Sequence, residues 1–347
     1  MTGAVGEETG QFRGPTRIPF MLKSMAYFLG LDAGATRTRC VLADNDNILA
    51  RASGGTIKIM RRPVEDAERN LDALLRDIAA ESGVSLDSIA CTCVGLAGIS
   101  VPRVADWVRS ELHARVGGEI LLAGDEEIAL EAAFSGGPGV MVAAGTGSNL
   151  IGRACNGQRV HVGGWGPVVA DEGSGSWIGK RAVRAVFDAL DRDEETLLMK
   201  KVQEAWELER VIDLVDVANR IPGPQFSKLT PIVVECAQRG DPDAIRILEQ
   251  AGHFLGTFAV LAVRRVEKLE GEGAASPEVA FTGSILSRIA TVREGMIALI
   301  HRELPGIQIQ PEAVDPVLGA LWRARQHCSS TPSKDSSATV QASGAPA

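Results

Sequence analysis

The chain lacks the features of membrane-spanning, exported and zinc-binding proteins. No stretch of its 347 residues reaches the ~18 uninterrupted apolar residues of a membrane span, and the first residues lack the apolar core of a signal peptide. Its six cysteines form no C-x-x-C pair and have no histidine partners at zinc spacing. We therefore expect a soluble, cytoplasmic protein with reduced cysteines and no membrane partner.

Positive charge is also scarce. The 36 lysines and arginines are outnumbered by 44 aspartates and glutamates, so the net charge is -8. Nucleic-acid affinity depends on clustered basic residues that neutralise phosphates, so we expect no nucleic-acid partner. A small anionic ligand bound by backbone N–H groups is compatible with this charge. The motif G-x-x-x-x-G-K-[ST] is absent, so any phosphate-binding loop must differ from a Walker motif.

The two ends of the sequence differ from the rest. Residues 1–24 show no apolar periodicity, and residues 328–347 are rich in Ser, Thr, Ala and Pro. We expect both segments to be disordered. The remaining length suits two domains, and a hydrophobic content of 45% is sufficient for substantial cores.

Strands and helices alternate in the first half of the chain. The patterns predict strands at residues 26–31, 39–43, 48–52, 88–94, 119–123 and 139–144, and helices at 63–80, 101–115 and 126–134. Such alternation indicates a mostly parallel sheet whose ligands gather at the carboxyl ends of the strands. The second half is mainly helical, with further strands predicted at 278–281 and 306–310 and helices at 285–302 and 317–326.

Two small-residue loops follow predicted strands. The first contains Asp32, Gly34, Thr36 and Thr38, and the second spans residues 145–149, Gly-Thr-Gly-Ser-Asn. Their N–H groups and hydroxyls can donate to phosphate oxygens, and an aspartate can hold a hydrated Mg²⁺. Each loop alone is a weak signal, because the same residues also make ordinary turns.

A glycine-rich stretch at residues 163–179 contains two acids and two tryptophans. Glycine is costly inside helices and strands and is used where the backbone approaches something closely. We interpret the stretch as a binding loop that runs into a helix from about Lys180. Asp125 lies between a strand end and a helix start, where it could cap the helix or, held ionised by the helix dipole, accept a proton.

In the order and spacing of these motifs, the chain resembles the sugar kinase, hsp70 and actin ATPase fold. Within that fold it is similar to the branch of N-acetylglucosamine kinases and BadF/BadG/BcrA/BcrD type ATPases. The matching stretches are residues 31–38, 95–98, 144–149, 163–174, 281–284 and 315–321. The resemblance implies an α/β fold of two RNase H-like lobes, at residues 25–135 and 136–327, with a helical insertion in the second lobe. ATP and a sugar would bind in the cleft between the lobes, and a homodimer is compatible with it.

The resemblance also implies the site residues. ATP and Mg²⁺ would bind at the two small-residue loops and at the turn of residues 282–283. The nucleotide contacts would come from Asp32, Gly34, Ala35, Thr36, Arg37, Thr38, Gly145, Thr146, Gly147, Ser148, Thr282 and Gly283. Asp32 would hold the metal. The sugar pocket would be lined by Lys58, Asp125, Gly164, Trp165, Gly166 and Asp171, and Asp125 would be the base that takes the proton from a sugar hydroxyl.

One residue departs from the family pattern. Related kinases have a sugar-binding Asn after the third strand, and the aligned stretch here has Lys58. A lysine there could suit an anionic substituent, such as the lactyl carboxylate of N-acetylmuramic acid. A solvated surface lysine is the alternative.

The implied function is an ATP-dependent amino-sugar kinase. N-acetylglucosamine is the leading acceptor, with its 6-hydroxyl as the attacking group, and N-acetylmuramic acid and glucosamine are alternatives. An ATPase activator of a radical enzyme, the second candidate, would need cysteine-containing glycine loops for an iron–sulfur cluster. A non-catalytic regulator of this fold, the third, would be expected to lack Asp125 or the phosphate loops.

Overall fold

The computed structural model describes residues 26–330 apart from 62, 97, 100, 272 and 274. The expectation of disorder for residues 1–24, and for the tail from residue 331 onward, concerns parts of the chain outside the described residues.

The first half of the chain builds a five-stranded sheet with the strand order β3-β2-β1-β4-β5. Its strands are β1 Tyr27–Ala33, β2 Arg37–Ala43, β3 Ile48–Gly55, β4 Ile89–Leu96 and β5 Glu119–Ala123. The first three strands form an antiparallel meander, and β4 and β5 join it in parallel. All five lie where the sequence predicted strands.

A second sheet repeats this arrangement with the order β8-β7-β6-β9. Its strands are β6 Gly139–Ala144, β7 Ser148–Arg153, β8 Arg159–Val162 and β9 Val279–Thr282. Again three antiparallel strands come first, and β9 adds to β6 in parallel. The strand predicted at residues 306–310 is reduced to a single bridge between Ile309 and Val279.

Helices cover both sheets. They are α1 Val64–Ser82, α2 Pro102–His113, α3 Asp125–Phe134, α4 Gly175–Leu190, α5 Leu197–Ala205, α6 Leu214–Asn219, α7 Thr230–Gln238, α8 Pro242–Glu270, α9 Ser284–Arg288, α10 Ala290–Glu303 and α11 Pro316–Ser330. The predicted helix 285–302 is therefore two helices, divided at Ile289. None of the helices in the described part of the chain combines the length and apolarity needed to cross a membrane.

Helix α1 shows why these segments are helical. Its apolar residues recur at spacings of three and four, and Ala67, Leu71, Leu74, Leu75 and Ile78 are buried. The helix ends at Gly83, which has a φ of 69° and donates its N–H to Ala79 O, as in a glycine C-cap.

Helix α11 corrects the predicted domain boundary. The lobe at residues 136–327 was expected to include it, and the tail was expected to begin at 328. Instead α11 continues to Ser330 and buries Val317, Ala320, Leu321 and Ala324 against the first sheet. The chain thus returns to its first lobe, because these four residues form an apolar stripe at helical spacing that fits one face of that sheet.

Close backbone contacts hold α11 in place. A Cβ at Gly319 would lie 1.8 Å from Ile128 O on α3, and a Cβ at Gly30 would lie 2.6 Å from Leu321 N. Only glycine allows these two approaches. On the second-lobe side of α3, Arg153 of β7 forms a buried bidentate pair with Glu131, with distances of 2.8 and 3.1 Å. Helices α3 and α11 therefore form the connection between the lobes.

Candidate active site

The first phosphate loop lies between β1 and β2. Within the described residues, the N–H groups of Ala35 and Thr36 have no protein acceptor, and both residues are exposed, as is Arg37. Thr38 differs from the expectation, since it is fully buried and its Oγ1 accepts a hydrogen bond of 3.1 Å from Ile57 N. It stabilises the loop from inside, and Thr36 presents the accessible hydroxyl.

Sequence reasoning missed a support of this loop. The Thr56 hydroxyl donates to Gly34 O at 2.6 Å, which ties the loop to the end of β3. Asn70 of α1 donates in turn to Thr56 O at 2.9 Å. The contact joins residues 22 positions apart, so no local pattern could have identified it.

Asp32 lies at the carboxyl end of β1 and is held by an arginine. Arg39 donates to its Oδ2 at 2.5 Å and lies 2.9 Å from Asp315 Oδ1. Burial raises the pKa of Asp32 above its ordinary value, against the lowering effect of Arg39, and the charges of Asp125 and Asp315 raise the pKa further. Asp32 and Asp125 therefore lie close enough to interact electrostatically.

Asp125 is the first residue of α3, not its cap. Gly124 occupies the cap position, and Asp125 Oδ1 accepts a 3.1 Å bond from Glu126 N. Burial, followed by the hydrogen bond and charge of the Glu126 carboxyl, raises the pKa of Asp125 to about 7, and Lys58 opposes this shift. Burial and Glu126 therefore oppose the effect of the helix dipole that was expected to hold Asp125 ionised.

Lys58 is half-buried and interacts with Asp125 across the site. The interpretation of Lys58 as a solvated surface residue is therefore not supported. The first lobe thus brings together Lys58, Asp125 and Asp32, three of the residues predicted for the site.

Because β7 begins at Ser148, the second phosphate loop is reduced to residues 145–147, and these are hydrogen-bonded to the start of α4. Gly145 O accepts from Gly175 N at 2.8 Å, and Thr146 O accepts from Ser176 N at 3.1 Å and from Ser176 Oγ at 2.7 Å. Among the described residues, the N–H groups of Thr146 and Gly147 have no acceptor. These two donors are therefore the ones that the loop can offer to a phosphate.

Helix α4 begins at Gly175, five residues before the predicted start at Lys180. The glycine-rich stretch is thus partly helical, contrary to our expectation. A Cβ at Gly179 would lie 1.9 Å from Phe226 O, so this glycine allows close packing against the helical insertion rather than a turn. Tertiary packing outweighs the low helix propensity of glycine here.

Asp171 lies beneath the second loop. Its Oδ1 accepts from Ser148 N at 2.6 Å and faces Ser148 Oγ at 3.2 Å, and its Oδ2 accepts from Ser174 Oγ at 2.9 Å. Burial raises the pKa of Asp171 above its ordinary value, and these bonds and Lys180 lower it. All of these hydrogen bonds lead to the phosphate loop and the cap of α4, and the expected sugar contact stays a prediction.

Gly164, Trp165 and Gly166 lead into a turn at residues 167–169, which is closed by a bond of 3.1 Å from Trp165 N to Ala170 O. Trp165 is 70% exposed, so its ring is open to a ligand. Gly164 has a φ of 73°, and a Cβ there would lie 2.7 Å from Asn149 Oδ1. Asn149 therefore faces this turn, although it was not among the predicted sugar contacts.

Thr282 and Gly283 end β9 beside the second loop. Gly283 has a φ of 94°, and a Cβ there would lie 2.2 Å from Ala144 O, just before Gly145. The Thr282 hydroxyl donates to Val314 O at 2.8 Å, so it is used within the fold. The second lobe thus brings together the loop at 145–147, Asp171 and the Thr282-Gly283 turn.

The described residues supply a single carboxylate, not a complete set of protein ligands, for a metal ion at the phosphate loop. Within the described residues no three acidic, histidine or cysteine side chains form a cluster that could hold a metal ion. Mg²⁺ commonly binds through one or two carboxylates together with substrate phosphates and water. Asp32 fits that pattern as a single carboxylate at the phosphate loop. Its hydrogen bond from Arg39 would have to break for Asp32 Oδ2 to bind the metal.

The chain matches the model of the BadF/BadG/BcrA/BcrD ATPase family over residues 29–324. An N-acetylmuramic acid/N-acetylglucosamine kinase from Clostridium acetobutylicum is 28% identical over 316 residues, which are 88% of this chain and 100% of the relative. A glucosamine kinase from Vibrio cholerae is 28% identical over 268 residues, 76% of this chain and 87% of the relative.

Among solved structures, a candidate N-acetylglucosamine kinase from Chromobacterium violaceum superposes with a TM-score of 0.68 at 26% identity and covers 86% of this chain and 98% of that one. The similarity agrees with the two-lobed α/β architecture of the actin and hexokinase type. Since the family model spans both sheets and every loop described above, the chain belongs to the BadF/BadG/BcrA/BcrD ATPase family.

Proposed function

We propose that this protein transfers the γ-phosphate of ATP to an amino sugar, with N-acetylglucosamine as the acceptor and its 6-hydroxyl as the attacking group. The observation that carries the proposal is a carboxyl group at a strand end, Asp125, whose pKa is close to neutral, beside Lys58 and near the Asp32 loop. A general base is most effective when its pKa lies near the working pH. The names of the relatives at 28% identity support the same reaction class.

Each group has a role in this reaction. The free N–H groups at residues 35–36 and 146–147 donate to phosphate oxygens, which become more negative as the terminal phosphoryl group departs. Ionised Asp125 orients the sugar hydroxyl and accepts its proton. Trp165 offers an apolar ring face to the sugar, and Asn149 offers an amide beside it.

Mg²⁺ bound near Asp32 would neutralise phosphate charge in the same reaction. The residues of the chain act around it. Asp32 would supply a carboxylate oxygen, and the positive charge of Arg39, which pairs with Asp32 and Asp315, partly compensates the negative charge of the two acids.

A sugar panel tests the proposal. Purified protein with Mg-ATP should phosphorylate N-acetylglucosamine faster than glucose, and coupled detection of ADP would measure kcat/KM for each sugar. N-acetylmuramic acid and glucosamine belong in the same panel. Failure to phosphorylate any amino sugar would contradict the proposed function.

The panel also tests Lys58 as the residue that selects the acceptor. We expect Lys58→Asn to lower kcat/KM for N-acetylmuramic acid relative to N-acetylglucosamine by about tenfold, since a hydrogen bond to a charged group is lost. Lys58→Arg keeps the positive charge and is the control. An equal fall for both sugars would mean that Lys58 acts on Asp125 and not on the sugar.

The pKa of Asp125 predicts a pH dependence. Asp125 must be ionised to accept a proton, so kcat should rise as the pH increases through about 7. Glu126→Gln removes a charge that raises this pKa, so the rising limb should move to lower pH. Glu127→Gln is the matched control, because Glu127 pairs with Arg323 at 3.0 Å and is not among the main groups that shift the pKa of Asp125. Identical pH profiles for Glu126→Gln and wild type would contradict the assignment.

A further inference from the structure

Asp171 is buried among donors that belong to different parts of the second lobe. It is 6% exposed, and its carboxylate accepts from Ser148, at the start of β7, and from Ser174, at the start of α4. Gly147 lies over it, since a Cβ there would be 3.4 Å from Asp171 Oδ1. Charged groups are rarely buried unless hydrogen bonds compensate for the lost water.

These bonds fix both ends of the second phosphate loop. On one side Asp171 accepts a hydrogen bond from the N–H group of Ser148, the residue that follows Gly147. On the other side it holds Ser174, whose Oγ caps α4 by accepting from Trp177 N at 3.0 Å. The next two residues of α4 donate to the carbonyls of Gly145 and Thr146.

The carbonyls of the loop are therefore turned toward α4. Gly145 O and Thr146 O are bonded on that side, and Gly145 N is bonded to Gly147 O at 2.8 Å. Of the loop's N–H groups, those of Thr146 and Gly147 are left without acceptors in the part of the chain that the structure describes. The first N–H groups of α4 are all used by the loop and the cap, so the helix start itself has none to offer a phosphate.

We propose that Asp171 is a positioning residue for ATP: its carboxylate fixes the 145–147 loop in the shape that presents the Thr146 and Gly147 N–H groups to the phosphates. This inference rests on the proposed kinase function. A carboxylate accepts about four hydrogen bonds, and those of Asp171 are directed mainly to Ser148 and Ser174. The side chain thus acts on the nucleotide through the loop.

The experiment compares Asp171→Ala and Asp171→Asn with Asp241→Asn. Asp241 is a matched control, because it is 5% exposed, caps α8 through Ala244 N at 2.9 Å and accepts from Leu198 N at 3.0 Å, remote in sequence from the loop. Amide hydrogen exchange of residues 145–148 reports the loop, and calorimetric titration with Mg-AMPPNP and with N-acetylglucosamine reports the two ligands.

We expect Asp171→Ala to lose exchange protection at Ser148 and to bind Mg-AMPPNP about tenfold or more weakly, the size expected when a charged hydrogen-bond partner is removed. Affinity for N-acetylglucosamine should change much less. Asp171→Asn should recover part of both losses, because its amide oxygen can still accept from Ser148 N. Asp241→Asn should leave the loop and nucleotide affinity unchanged.

Other outcomes would overturn the inference. Unchanged loop exchange and nucleotide affinity in Asp171→Ala, with weaker sugar binding, would make Asp171 a sugar ligand. If Asp171→Ala does not fold, Ser174→Ala, which removes the bond to Oδ2, should show the same losses on a smaller scale, and a wild-type loop in that variant would also refute the inference. Wild-type protein that binds no Mg-AMPPNP would contradict the proposed function, while loop exchange would still decide the role of Asp171.

Discussion

Asp125→Asn is expected to lower kcat by about 10²- to 10⁴-fold, the usual contribution of a general base, with little change in affinity for ATP. Asparagine keeps the shape of the side chain but cannot accept the proton of the sugar hydroxyl. Because Gly124, not Asp125, occupies the cap position of α3, the substitution should have little effect on stability. Steady-state kinetics with N-acetylglucosamine, together with thermal unfolding, measures both effects.

The nature of the transition state sets the size of this loss. If the phosphoryl group is transferred through a loose transition state, proton removal comes late and Asp125 mainly orients the hydroxyl. The loss then lies at the lower end of the range. A folded Asn variant that retains more than about a third of wild-type turnover would exclude even this orienting role. Asp125→Asn should also abolish the rise of kcat near pH 7, since the group that ionises is gone.

Gly319→Ala should destabilise the protein strongly, although alanine is the better helix former. The new methyl group would lie 1.8 Å from Ile128 O and 2.5 Å from Ala132 N, and both are backbone atoms that cannot rotate away. Helix α11 would have to move away from α3. Overpacking of this kind costs typically 1–3 kcal/mol, so we expect a free energy of unfolding lower by about 3 kcal/mol, measured by urea denaturation.

Gly295→Ala is the control for this substitution. Gly295 lies within α10, and a Cβ there would meet nothing nearer than Gly252 Cα, at 3.8 Å. Alanine should therefore stabilise the protein by up to about 1 kcal/mol through helix propensity alone. Equal stability of the Gly319 and Gly295 variants would mean that the α3 and α11 contact can relax.

The sequence predicts the elements of the site better than their connections. The strands of the first sheet and the two phosphate loops follow from local patterns, because apolar runs and small polar residues determine them within a few positions. The membership of α11 in the first lobe does not, since it depends on the close approach of Leu321 to Gly30, far apart in the chain. The early start of α4 likewise depends on the close approach of Gly179 to Phe226.

The orientation of side chains is equally inaccessible from one sequence. Thr36 and Thr38 look alike in the motif, yet Thr36 is exposed and Thr38 is fully buried. Thr36 lies in the turn before β2 and Thr38 lies within β2. Side chains two positions apart in a strand point to the same face, so the strand pattern does not separate the two threonines, and their different exposure depends on the rest of the fold. The pKa of Asp125 also depends on Lys58, which only the folded chain brings beside it.

The return of α11 to the first lobe means that the second lobe is attached by two covalent crossings, one after α3 and one before α11. These crossings lie side by side, since Gln310 Nε2 donates to Ala133 O at 3.3 Å. Both connections, and the packing of Ala129 and Leu130 of α3 on the second sheet, lie at one edge of the two lobes. We therefore expect any movement of one phosphate loop toward the other to be a rotation of the lobes about that shared edge.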